Sequence, residues 1–322
     1  MDAKPEVCVI EYNTPLYDGS AAIHPWCDSS FLKRDMGRRM KKDCAIIAAG
    51  GGYDILTSHL LAEQLKLQKA DLIGMLNPKF HHFYFRPDLN AYMEENAVNL
   101  LENGMAIRYK TSTDYASYIK SCNYRNCSSN YEVRDFMDGR LVGKTHHSLY
   151  NFSLKYGWKK QLEFLLQYKK IILCDVGGDI LYAGNENCEV KTPIIDAYAL
   201  MLTKKCLDAG CNCEIYIIAP GSDMELTPEH IAANLNRVES VSILIEEKAL
   251  SNLWALYQEV RLNNSGHTIQ RIYEAFNGGT SEYKDYMCQI HKCNVELSYR
   301  LNPLAQFDTI DEIIKNYNSK SL

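Results

Sequence analysis

One pattern occurs twice in this chain and narrows its fold more than anything else: an apolar run, then glycines, then an aspartate opening an amphipathic segment. It appears as "CAIIAAGGGYDILTSHLLAEQL" from Cys44 and again as "KKIILCDVGGDILYAG" from Lys169. Runs this short and apolar read as strands buried on both faces, and such strands belong to parallel sheets covered by helices. Glycine in the turn that leaves such a strand tolerates positive φ and lets a ligand approach the backbone.

Further strand candidates are "EVCVIEY", "ADLIGML", "MAIRYK", "CEIYIIAP" and "SVSILIE". Segments of helical period lie between several of them. "DILTSHLLAEQLKLQ" sets Ile55, Leu56, Leu60 and Leu65 about one apolar face, and "TPIIDAYALMLTKKCLDAG" opens with a proline in its first turn and closes at Gly210. Strand and helix in alternation predict an α/β fold, a doubly wound, mostly parallel, Rossmann-like three-layer sheet. At 322 residues the chain can bury one large core, and no proline- or serine-rich linker divides it, so a single α/β domain over 1–322 is expected. Residues 80–158, rich in Tyr, Asn, Ser, His and Cys, read as an insertion or cap. Residues 278–322 read as a C-terminal extension of coil and a final helix, "DTIDEIIKNYN".

Net charge is −5, which gives no electrostatic reason for a nucleic-acid partner or an anionic membrane. The basic stretch "KRDMGRRMKK" is explained by a solvated helix face. No window approaches the ~18 apolar residues of a membrane span, and the N-terminus lacks the apolar core of a signal peptide. The expected location is therefore cytoplasmic, with the 12 cysteines as reduced thiols. Cys288, His291 and Cys293, or Cys206, Cys211 and Cys213, lack the paired spacing of a zinc site. A homo-oligomer is compatible with the chain.

Gly50, Gly51 and Gly52 fit a strand-to-helix loop that offers backbone N–H groups and a helix N-terminus to phosphate or carboxylate. Asp54 competes, because an aspartate there can cap the same donors. Two specific motifs fail. No Gly-Lys-Ser/Thr follows, so this is not a P-loop, and Ile55 stands where a dinucleotide fingerprint wants its third glycine. The second loop places Asp175 and Asp179 around Gly177 and Gly178, with Glu186 and Asp196 following. A third strand end, "IIAPGSDMELTPEHI", carries Gly221, Asp223 and Glu225 before a helix capped by Thr227. In a parallel sheet all three segments leave from the carboxyl edge, where open α/β sheets bind ligands.

Carboxylates gathered in such a cleft hold a hard cation such as Mg²⁺, bind hydroxyls or amines, or act as general base. Asp175 and Asp179 are the metal candidates, and with Asp196 and Glu186 the catalytic candidates. Helix capping alone also accounts for acids at helix starts, strongly for Asp223 and Glu225 and less well for Asp196.

Together "AAGGGYDIL", "DVGGDILYAGNENCEVKTPIIDAYAL" and "PGSDMEL" resemble the uncharacterised family known as domain of unknown function 1152. Its pattern has a four-glycine-plus-aspartate loop, then Asp-x-Gly-Gly-Asp leading to a Glu, a Ser-Pro-Leu and an Asp, and later Gly-x-Asp-Gly-Glu-Leu. By that resemblance Gly50, Gly51, Gly52 and Asp54 match the first motif. Asp175, Gly177, Gly178, Asp179, Glu186, Pro193 and Asp196 match the second; Gly221, Asp223, Glu225 and Leu226 match the third. This chain departs from the pattern at Tyr53, Thr192 and Met224, where the family has Gly, Ser and Gly. The resemblance spans about 44–226 and brings no activity with it.

The pairs His81/His82 and His146/His147 point to opposite faces if they lie on strands, so neither pair ligates one metal together. Cys174 is a poor nucleophile candidate, since the neighbouring Asp175 raises its pKa. No Gly-x-Ser-x-Gly elbow occurs. The leading expectation is an enzyme that binds a nucleotide or other phosphorylated metabolite on the glycine loop, with the acids supporting metal-assisted transfer or hydrolysis. A sirtuin-like protein that binds or uses NAD, and a non-catalytic metabolite-binding or scaffold protein, are the alternatives.

Overall fold

The computed structural model describes residues 42–49, 54–76, 97–100, 106–109, 147–153, 158–184, 186, 190, 193–260 and 267–320. All of them lie in one compact unit, 41–322. "EVCVIEY", Gly50, Gly51, Gly52, Tyr53, Thr192, His81, His82 and His146 lie outside the described residues.

The first half supplies β1 (Lys42–Ala48), α1 (Asp54–Gln64), β2 (Asp71–Leu76), β3 (Ala97–Leu100), β4 (Ala106–Tyr109), β5 (Ser148–Ser153), α2 (Trp158–Leu165) and β6 (Tyr168–Val176). A single 3₁₀ turn, Asp179–Leu181, follows β6. Then come α3 (Pro193–Asp208), β7 (Asn212–Ile218), α4 (Pro228–Arg237), β8 (Val241–Leu244), α5 (Glu247–Val260) and α6 (His267–Phe276). The chain continues through α7 (Lys284–Met287), β9 (Gln289–Cys293), α8 (Val295–Leu301) and α9 (Ile310–Lys320).

The strands form one sheet in the order β3-β4-β5-β2-β1-β6-β7-β9-β8. Its centre, β5 to β7, is parallel, with Ile46 beside Ile172 and Ile47 beside Leu173 at the β1–β6 seam. Both margins are antiparallel, so the α/β expectation holds but the sheet is mixed. Burial explains the difference: Ala45–Ala48 and Ile171–Cys174 are wholly buried, whereas Val241 and Leu244 on β8 are 65% and 71% exposed. An apolar string at a sheet margin looks, in sequence, like a core strand.

Two described parts of the 80–158 segment, β3 and β4, extend one margin of the sheet, and β5 pairs parallel to β2. In the 278–322 segment the unexpected element is β9, which inserts between β7 and β8.

Successive residues of β6 show which helices cover which face. The Cys174 thiol meets the Thr57 hydroxyl of α1 at 4.0 Å, while Asp175 turns to the Asp196 carboxyl of α3. Helices α1 and α3 therefore cover opposite faces and complete a three-layer arrangement. Helix α3 ends as expected, with Gly210 at φ 87° and the Cys211 N–H donating to Cys206 O. Thr227 caps α4 by accepting from His230 N–H at 3.3 Å. None of the described helices is long and apolar enough to cross a membrane.

Candidate functional site

From β1 the chain runs to β2 and toward one margin; from β6 it runs to β7 and toward the other. The order reverses between β1 and β6, and the crevice outside their carboxyl ends is the usual ligand position of open α/β sheets. The loops there are joined. Ala49 N–H donates to Cys174 O at 2.8 Å, and Val176 N–H donates to the Asp54 carboxylate at 3.2 Å. Asp54, first residue of α1, thus reaches across to β6.

Beyond β6 the backbone turns at Gly177 and Gly178, with φ of 98° and 112°. The second of these leads into the 3₁₀ turn. The first is required by close approach as well: a Cβ on Gly177 would sit 2.0 Å from Asp223 Oδ2. The β6 and β7 loops are further tied by Gly221 N–H donating to Gly177 O at 2.6 Å. All three acidic segments expected to leave the same sheet edge therefore meet there, as far as the described residues run.

Asp175 is buried at the end of β6 and accepts from Ile180 N–H at 3.2 Å. Burial pushes its pKa up to about 7, and the Asp223 charge adds to the rise. Asp196, in the first turn of α3, is 1% exposed, and among the described residues only its own backbone N–H lies near its carboxyl as a donor. Beside it lies the Asp175 carboxyl, at hydrogen-bonding range. Burial first, then the charges of Asp175, Asp179 and Asp54, raise the Asp196 pKa well above the carboxylate range. Two neighbouring buried carboxyls resist ionising together, so Asp175 and Asp196 titrate as a pair.

Asp179 and Asp223 make a second carboxyl–carboxyl contact. Asp223 also accepts from Glu225 N–H at 3.0 Å; burial raises its pKa, and the Arg271 guanidinium works against that rise. Arg271 donates to the carbonyls of Ser222 and Asp223 at 3.0 and 3.2 Å, fixing the β7 loop from α6.

Asp54, Asp175, Asp179, Asp196 and Asp223 are brought together. Glu186 has a different place: its carboxylate accepts from Ala183 N–H at 2.7 Å and from the Asn234 amide at 3.2 Å, bracing the loop after the 3₁₀ turn. Among the described residues no group of three or more His, Cys, Asp or Glu is arranged to hold a metal ion. That covers Cys206, Cys211 and Cys213 as well as Cys288, His291 and Cys293. His147 is buried and sits 3.2 Å from Ala70 O. Burial holds the Cys174 thiol far above the thiol range, with Asp54 and Asp175 adding to it, so it stays protonated.

Asn234, Asn302, Arg271 and Tyr283 shape this rim but escape sequence reasoning. A Cβ on Gly221 would strike the Tyr283 ring at 2.3 Å, a contact across more than sixty residues that no local pattern announces. Met224 keeps a left-handed φ of 64°.

No curated protein and no solved structure matches the chain. The family described as "Protein of unknown function (DUF1152)" matches residues 139–284, a stretch that holds the Asp175–Asp196 and Gly221–Leu226 motifs and leaves the Gly50–Asp54 loop outside it. Over those residues the chain is similar to that family.

Proposed function

We propose that this chain is an enzyme that binds a nucleotide or other phosphorylated metabolite at the crevice between β1 and β6 and catalyses transfer or hydrolysis there. The observation that carries the reading is the buried carboxyl pair Asp175–Asp196, placed at the point where strand order reverses. A carboxyl that titrates near neutrality can take a proton from a bound water or hydroxyl, or return one to a leaving group.

Five aspartates repel a bare phosphate, so a phosphorylated ligand requires a cation with it. Mg²⁺ suits this role, since it is held by one or two protein carboxylates together with substrate phosphates. Asp175 and Asp179 are the residues that would hold it. The burial of Asp196 among other acids fits the same chemistry, because a buried carboxylate calls for a proton or a cation. When bound, the ion would offset negative charge on the reacting phosphate. Around it the chain's own groups orient the ligand: the Asp54–Val176 hydrogen bond fixes the β1 and β6 loops against each other.

Thermal stabilisation by a panel of nucleotides and sugar phosphates, each with Mg²⁺ and with chelator, tests the reading. Stabilisation by at least one phosphorylated ligand only with Mg²⁺ is expected. No stabilisation by any of them contradicts it, and nicotinamide release from NAD would move the assignment to an NAD-using enzyme.

A further inference from the structure

The turn that carries Asp179 has little internal support. It is three residues long, and Gly178 before it provides no side-chain cap. Ile180 and Leu181 are wholly buried, so their carbonyls need donors from elsewhere in the fold. Two asparagine amides supply them. Asn302, just past α8, donates to Ile180 O at 3.3 Å; Asn234 of α4 donates to Leu181 O at 2.9 Å.

Both side chains are buried and pre-aimed. The Asn302 oxygen accepts from Leu304 and Ala305 N–H at 3.0 and 3.3 Å, which fixes its amide toward the turn. Asn234 accepts from Arg237 at 3.3 Å and shares its amide with Glu186, which in turn holds Ala183 N–H. The turn is therefore gripped from two elements distant in sequence. Its own Ile180 N–H is the group that donates to Asp175.

We infer that Asn234 and Asn302 are positioning residues of the acidic site: by fixing the Asp179–Leu181 turn they keep Ile180 N–H on the Asp175 carboxylate and the Asp179 carboxyl beside Asp223. Asn302 lies beyond the residues matched by the family, so the C-terminal segment helps complete the site. The inference rests on the proposed function in treating these acids as a working site, but its geometry is independent of any ligand.

Amide hydrogen exchange by NMR on the full chain tests it, in wild type, Asn302→Asp and Asn234→Ala. Asn302→Asp keeps the acceptor contacts to Leu304 and Ala305 and, once ionised, puts a carboxylate oxygen in place of the donor to Ile180 O. Asn234→Ala acts from a different helix, so either folded variant suffices. Exchange at Ile180 is expected to quicken at least tenfold while Leu173, inside β6, keeps its wild-type rate. An exposed control, Asn252→Ala, should change neither. An unchanged Ile180, or Ile180 and Leu173 quickening by the same factor, overturns the inference. Stabilisation by the panel of nucleotides and sugar phosphates with Mg²⁺ is read on the same samples. Its absence in wild type removes the functional reading and leaves the exchange result standing; undiminished stabilisation in a variant with a loosened Ile180 overturns the positioning role.

Discussion

Replacing Asp196 by asparagine should make this protein more stable at alkaline pH. Asp175 titrates at about 7 in the fold, against an ordinary value of 3.8. At roughly 1.4 kcal/mol per pH unit, ionising it in the folded state costs on the order of 4 kcal/mol relative to the unfolded chain. The sign follows from proton binding. Between about pH 4 and pH 7 the folded state keeps a proton that the unfolded chain has lost, so stability falls as pH rises through this window. Above pH 7 the whole cost is present. The substitution would remove the carboxyl that burial and Asp175 push well up, and with it that group's own cost of staying protonated, while its amide would keep a donor on Asp175 where Asp196 now supplies one. Relief of about half, near 2 kcal/mol, is therefore expected at pH 8, or about 4 °C in Tm for a chain of this size. At pH 5, where Asp175 is largely protonated in the fold, the gain should shrink below about 1 kcal/mol. Urea unfolding of both proteins at the two pH values measures this. A variant less stable than wild type at pH 8, or a gain equal at both pH values, refutes the paired titration.

Gly177→Ala should destabilise by roughly 3 kcal/mol or more, since φ of 98° disfavours any L side chain and the new Cβ would meet Asp223 at 2.0 Å; denaturant midpoints read it. Met224→Gly should stabilise by about 0.5–1 kcal/mol, because the left-handed backbone is relieved while a half-exposed side chain loses little packing. His291, buried on β9 and pushed down by that burial to about 4, should make stability fall as pH drops from about 6.5 toward 4. The unfolded chain takes up a proton there that the fold refuses, and His291→Gln should flatten the dependence seen in urea titrations.

The parallel core was legible because β1 and β6 are apolar on both faces, and the glycine-aspartate turns marked their carboxyl ends. Asp54, Asp175, Asp179, Asp196 and Asp223 could be assigned to one rim on that basis alone. What failed has physical reasons. "QIHKC" has two apolar residues and no regular alternation, and a strand that short gives a weak signal. "SVSIL" reads as core although β8 is exposed. Glu186 stands out in sequence as an acid near the loop, and the structure places its carboxylate on the Asn234 amide and the Ala183 N–H. Asn302 gave no signal at all, since nothing near it in sequence tells that a carbonyl 122 residues away lacks a donor.

The most direct measurement is a crystal structure of the chain grown with Mg²⁺ and a non-hydrolysable nucleotide or sugar phosphate that stabilises it. The account requires density for the phosphate and the ion between the β1 and β6 loops, in contact with Asp175 or Asp179. A ligand bound elsewhere, with Asp175 and Asp196 still facing only each other, would contradict it.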